Sequence, residues 1–249
     1  MNKTVLALAA VTLVPSVAAA QSVVFSGAEV SYNYQDNNDE GNGAEGFSTS
    51  GLRGGVEVQM LGQFTAQLDL ASSEYDAESD DPNFMGDSYT AYTIHGGYLV
   101  TPDAAVGLFY GEEDWDNQGN WVAMGLEGSF TSGPTTLEGV VGNLEQDGFL
   151  SIDYFRADVG YEVMPKLSVI GDFTSASFDS EVDGDSSGDV NIIGAGARYD
   201  IAEGFYAEGT LHSISGDAEY EVFGIEIGYA FAGGTSFGAR DFSGLFTGF

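Results

Sequence analysis

Val222 to Phe231 reads Val-Phe-Gly-Ile-Glu-Ile-Gly-Tyr-Ala-Phe, and this stretch decides the fold class. Phe223, Ile225, Ile227, Tyr229 and Phe231 share one parity, while Gly224, Glu226, Gly228 and Ala230 share the other. Strict alternation marks a strand, because successive side chains point to opposite faces. A run of roughly ten residues with aromatics near both ends suits a strand tilted across a bilayer, one face in lipid and the other toward a polar lumen. Taken alone, the stretch suits a soluble sandwich equally well. Its recurrence along the whole chain favours the membrane.

The same alternation gives a consistent apolar face elsewhere. Val24, Ala28, Val30, Tyr32 and Tyr34 form the first such face, followed by Leu52, Val56, Val58 and Met60, then Phe64, Ala66, Leu68 and Leu70. Later faces include Tyr92, Ile94, Tyr98 and Val100, then Val122, Met124, Leu126 and Phe130, then Phe155, Ala157, Val159, Tyr161 and Val163. Only Thr135 to Asn143 is ambiguous, with Leu137 and Val141 on one parity and Val140 and Leu144 on the other.

Between these segments, longer polar connections alternate with tight turns. The polar ones are Gln35 to Gly46, Ser73 to Asp87, Gly111 to Asn120, Glu145 to Gly148, Asp179 to Asp189 and Ser215 to Glu219. The tight ones are Leu61-Gly62, Thr101-Pro102-Asp103, Ser132-Gly133-Pro134, Met164-Pro165-Lys166 and Ala202-Glu203-Gly204, where Gly and Pro punctuate the chain. Six long loops and five short turns join about twelve strands into an up-and-down meander, with both chain ends on the short-turn side. The fold class expected is therefore all-β: a transmembrane antiparallel barrel over residues 21–231, followed by a short C-terminal tail. A Greek-key sandwich has no reason to alternate long and short connections so regularly.

The first twenty residues read as a cleaved export signal: Lys3, an apolar run from Val5 to Val14, and Ala18-Ala19-Ala20 before the cut at Gln21. No later segment approaches the apolar length of a transmembrane helix, so membrane entry requires a closed barrel. With no cysteine, disulfides play no part. The formal charge of −33 argues against a nucleic-acid partner, whose phosphates need Lys and Arg. High charge can also mean disorder, but 43% hydrophobic and 13% aromatic content, with the acids coming in bursts between the alternating segments, argue against it. Phe64, Tyr98, Phe130, Tyr161, Tyr199, Phe205 and Tyr229 lie near short turns or strand ends, where an aromatic girdle meets the membrane interface.

The signal, the even-numbered meander, the acidic loops and the terminal Phe249 together resemble a Gram-negative outer-membrane β-barrel of the general porin kind. The resemblance covers nearly all of the mature chain, is architectural, and implies outer-membrane lipid and the barrel-assembly machinery as partners. It leaves a homo-oligomer open. One departure stands out. In that family the last strand ends at the chain terminus, whereas here the well-formed strand stops at Phe231 and 18 residues follow. This glycine-rich, aromatic tail, residues 232–249, suits a degenerate extra strand, a plug in the lumen or an assembly signal.

Any function lies on the inward parity. Arg53, Arg156 and Arg198 fall there on three separate strands, with Glu57, Asp69, Glu127, Asp158, Glu162, Asp172, Glu208 and Glu226. Eight acids against three arginines leave the bore about −5. Two readings stay open together: mutual neutralisation that holds the barrel, and a constriction with a transverse field favouring cations. Inward glycines such as Gly55, Gly125, Gly194, Gly196, Gly224 and Gly228 are expected to widen a bore intermediate between filled and open barrels.

The acidic cluster Asp179, Glu181, Asp183, Asp185 and Asp189 raises a weak calcium reading. The twelfth position counted from Asp183 is Gly194 rather than the glutamate an EF-hand needs, so a solvated acidic rim is favoured. His95 and His212 are the only histidines and read as isolated strand residues, which leaves a hydrolase without a base. No cofactor, metal or enzymatic activity is expected. The reading reached is a passive, cation-preferring channel for ions and small hydrophilic solutes. The alternative is a closed structural or adhesive barrel binding partners through its acidic loops, and a soluble exported β-protein stands third.

Overall fold

The computed structural model describes residues 23–37, 46–77, 88–116, 119–146, 148–180, 187–217 and 219–240. The expected signal peptide, part of the acidic loops and Phe249 lie outside these residues. Twelve strands follow one another: β1 (Val23–Asn37), β2 (Phe47–Met60), β3 (Phe64–Ala77), β4 (Ser88–Thr101), β5 (Ala104–Trp115), β6 (Gly119–Ser132), β7 (Thr135–Gln146), β8 (Leu150–Met164), β9 (Leu167–Ser180), β10 (Ser187–Ala202), β11 (Phe205–Gly216) and β12 (Tyr220–Phe231). Each pairs antiparallel with its sequence neighbours, and β1 pairs with β12 to close the barrel. Closure matters because it leaves no sheet edge to be satisfied in lipid.

The expected parity holds. Leu108, Leu126 and Ile193 are apolar yet 60%, 54% and 61% exposed, as the outer wall of a membrane-embedded barrel must be. The ambiguous segment resolves within β7, where Val140 and Leu144 are buried inside and Leu137 and Val141 face out. All five short turns fall where Gly and Pro placed them. Leu61 and Gly62 both take positive φ (53° and 77°), the backbone that a primed hairpin turn requires. Along the turn end, outward aromatics pack edge to face, with 5.4 Å between the ring centroids of Phe64 and Tyr98 and 4.8 Å between those of Phe205 and Tyr229.

At the loop end the strands run further than expected. Gly111 to Trp115 belongs to β5 and pairs with β4, and the chain re-enters β6 at Gly119. The physical reason is inward packing. Trp115 stacks on Tyr89 (4.7 Å) and meets Tyr75 edge-on (6.4 Å), and Phe47 links Tyr75 (5.2 Å) to Tyr220 (5.9 Å). Glu112 and Asp114 fall on the opposite parity and Glu113 is buried beside Trp115, so the segment reads as acidic although Trp115 packs on its inner face.

Inward glycines do not widen the bore as expected, because neighbouring side chains occupy the space they leave. A Cβ at Gly125 would stand 2.7 Å from the Phe109 ring, and one at Gly228 would stand 2.3 Å from Tyr206. Gly194 likewise receives His212 and Asp172. The loop-end half of the interior is a packed core built on Phe109, Val140, Leu144 and Ile152 on one side and on Val190, Ile192, Ile214 and Val222 on the other.

Candidate lumenal site

The turn-end half of the barrel is polar. A cavity of about 740 Å³ opens there, and its lining includes Pro102 and Asp103 of one short turn. Seven carboxylates (Glu29, Asp103, Glu138, Asp158, Asp172, Glu208 and Glu226) and four arginines (Arg53, Arg156, Arg198 and Arg240) face it, a formal balance of −3. No member of the Tyr75–Tyr89–Trp115 stack lines it.

Seven of the eleven charged residues expected on the inward face stand around this cavity: Arg53, Arg156, Asp158, Asp172, Arg198, Glu208 and Glu226. Strand geometry decides how they pair. Arg156 and Asp158, two apart on β8, point the same way, and the guanidinium donates to Asp158 at 2.7, 2.9 and 3.1 Å. Arg198 reaches Asp200 on its own strand at 3.6 Å and lies 3.5 Å over the Tyr206 ring, a cation–π contact. Neighbouring carboxylates thus hold both arginines. Glu208 on β11 is the direct cross-strand partner of both Arg198 on β10 and Glu226 on β12, and the Tyr206 hydroxyl bonds Glu226 (2.7 Å) and Glu29.

Of the other four, Glu162 is exposed near the turn end of β8 and does not line the cavity, while Glu57, Asp69 and Glu127 are buried at 2%, 1% and 5% exposure rather than open to it. What covers them is the tail. Ala232, Gly233 and Gly234 take positive φ in succession (54°, 95° and 86°) and turn the chain back from β12 into the barrel. Gly27 is where this crossing is closest, since a Cβ there would lie 1.6 Å from the Gly234 carbonyl oxygen. Beyond it, Ser236 N–H donates to Glu57 (3.1 Å), and Arg240 donates from its backbone to Asp69 (3.3 Å) and from Nε to Glu127 (3.0 Å). Among the described residues the tail forms no strand, and residues 232–240 lie against the inner wall.

His95 is not an isolated strand histidine. Its Nδ1 lies 2.7 Å from Glu127 and its Nε2 lies 2.8 Å from Asp69. His212 Nε2 lies 3.1 Å from Asp172. These ring nitrogens engage carboxylates, an arrangement that positions and neutralises charge rather than activating a serine. Burial opposes the charge on Arg240, but Glu138 and Glu127 outweigh it and raise the guanidinium above its ordinary pKa.

Several participants escaped the sequence reading. Glu29 shares the inward parity of β1 and was accessible to the same count. Glu138 lies in the segment of ambiguous parity, and within the tail, for which a lumenal plug was one of three readings, the sequence singled out neither Phe237 nor Arg240. Of the calcium candidates, Glu181, Asp183 and Asp185 lie outside the described residues. Asp179 ends in β9, and the Asp189 backbone is bonded to Asp217 at 2.8 Å.

The sequence profile of Gram-negative porins matches residues 58–219, which is 162 of 249 residues. No protein of curated function matches the chain. Among solved structures, the COG4313 outer membrane channel from Pseudomonas putida F1 superposes with a TM-score of 0.58 at 11% identity, over 87% of this chain and 99% of its own. The NanC porin gives 0.57 at 7% identity over 81% and 98%, and the KdgM porin 0.51 at 8% over 82% and 99%. At these identities the likeness is one of fold.

Proposed function

The chain belongs to the Gram-negative porin family, and on that premise we propose a narrow, cation-preferring channel for ions and small hydrophilic solutes. The observation that carries this reading is the charge around the cavity, where seven carboxylates face four arginines. Arg156 and Arg198 have Asp158 and Asp200 beside them on their own strands, and Arg198 is left as the one cation next to the facing pair Glu208 and Glu226. A mobile cation passing that wall relieves like-charge repulsion, and an anion adds to it. The acidic loops concentrate cations at the mouth in the same sense. The aromatic and aliphatic layer at the loop end acts as the hydrophobic constriction in series with the polar cavity, conducting when it wets.

That same layer favours one rival: a barrel that stays closed and works through its acidic loops. The two readings separate in planar bilayers under a KCl gradient, using refolded protein whose folding is checked by heat-modifiable mobility. Unitary steps with a cation-selective reversal potential support the channel. A silent bilayer with folded protein sinks it and leaves the closed barrel.

A further inference from the structure

Phe237 is 1% exposed and lies nearly parallel to the His95 imidazole, 6.0 Å between centroids at 11°. The wall beneath it is Gly97 on β4 and Gly107 on β5, directly paired across the two strands. A Cβ at either position would stand 2.8 Å from the Phe237 ring, closer than real side chains approach. The two strands therefore lack side chains at the one cross-strand pair where the ring rests, and together with His95 they form a socket of its shape.

Backbone groups are read as well. Gln67, itself buried, accepts from Phe237 N–H (3.4 Å) and donates to Phe237 C=O (3.0 Å). This two-way clamp mimics a strand neighbour. Three residues on, the Arg240 guanidinium bridges Glu127 (3.0 Å) and Glu138, while its carbonyl accepts from the Thr93 hydroxyl (3.2 Å). Gly238 N–H also reaches Glu138 (3.2 Å). An aromatic socket, a backbone clamp and an acidic slot are the elements of a peptide site.

We propose that the inner wall formed by β2 to β7 is a peptide-binding site, and that the chain's own segment Gly234–Arg240 is its resident ligand. The ligand class is a short glycine-rich peptide with an aromatic residue and, three positions later, an arginine. Docking does not depend on conduction, but it has a consequence for it. Thr235 to Arg240 line the cavity on this side, so occupancy of the site sets the free cross-section of the turn-end lumen.

The test uses the full-length barrel. In a Phe237→Ala/Arg240→Gln variant the resident segment loses both anchors while the wall is untouched. A fluorescent peptide of residues 232–240 should bind this variant saturably in detergent, and the parent barrel much less, because there the tethered segment competes. Adding Gly107→Leu overfills the socket and should weaken peptide binding by about tenfold or more. A second readout avoids the peptide. The chain has no cysteine, so Ser236→Cys is a unique thiol. Its maleimide labelling should be about tenfold slower in the folded parent than in the Gly107→Leu barrel. Absence of peptide binding to the double variant overturns the site. So does a Ser236→Cys thiol that reacts as fast in the folded parent as in urea, a measurement that needs no socket variant to fold.

Discussion

Glu208 on β11 and Glu226 on β12 are direct cross-strand partners with both side chains turned into the lumen. Like charges facing each other across a ladder cost about 0.2–1 kcal/mol. Arg198 is the partner of Glu208 on the other side, so Glu208→Gln relieves Glu226 and removes a neighbour of Arg198 at once. We predict that it changes stability by less than about 1 kcal/mol and lowers the cation-to-anion permeability ratio. Urea unfolding and the reversal potential report the two effects. A variant with unchanged selectivity would remove this pair from the conducting route.

His95 predicts the opposite balance. Its two nitrogens serve Asp69 and Glu127, all three being buried. His95→Phe preserves the ring beneath Phe237 but strips both carboxylates of a shared partner. Breaking such a buried cluster costs about 3 kcal/mol. A loss below about 1 kcal/mol in urea unfolding would mean that Gln67 and Arg240, which also bond these carboxylates, suffice without the imidazole.

The outer wall is tested by charge placement. Leu126 on β6 faces out beside Leu108 on β5, whereas Ser129, three residues on, lines the cavity. In lipid vesicles Leu126→Arg should cost about 2–4 kcal/mol, the penalty of a cation at the membrane midplane. Ser129→Arg should cost less than about 1 kcal/mol and reduce cation preference. Equal penalties would contradict the assignment of faces.

Faces, turns and strand number were legible because period-2 alternation and Gly/Pro punctuation are local properties. Parity also put Arg156, Asp158, Glu208 and Glu226 on the inward face, while the pairing of Glu208 with Glu226 came from the strand register. It could not report what fills the lumen, because that depends on contacts between residues far apart in sequence. Arg240 meets Glu127 across 113 positions. Inward glycines read as empty space for the same reason: Phe109 occupies the room at Gly125, and no feature near Gly125 says so. The loop-end core was hidden differently. On β10, Ile192 points in while Ile193 points out, so a strand apolar on both faces loses the alternation that marks its sides. Acid-rich segments such as Gly111 to Trp115 read as loops because their outward charges dominate composition while Trp115 packs inside.

Trp115 offers the sharpest test of that hidden layer. It is the hub between Tyr89 and Tyr75, and through Tyr75 the ring contacts continue to Phe47 and Tyr220, reaching from β4 to β12 at the loop end. Its indole N–H donates to Glu113 at 2.5 Å, so truncation also frees a buried carboxylate. Trp115→Ala should cost about 3–5 kcal/mol of stability through lost packing. If the layer is the hydrophobic constriction of a channel, the hole it leaves should raise unitary conductance, because a wider apolar neck wets more readily. Glu113→Gln separates the effects: it keeps the ring stack, removes the charge and should leave conductance near the parent value. A Trp115→Ala barrel that folds and stays silent would show that the closed half is structural, and the loops would then be the working surface.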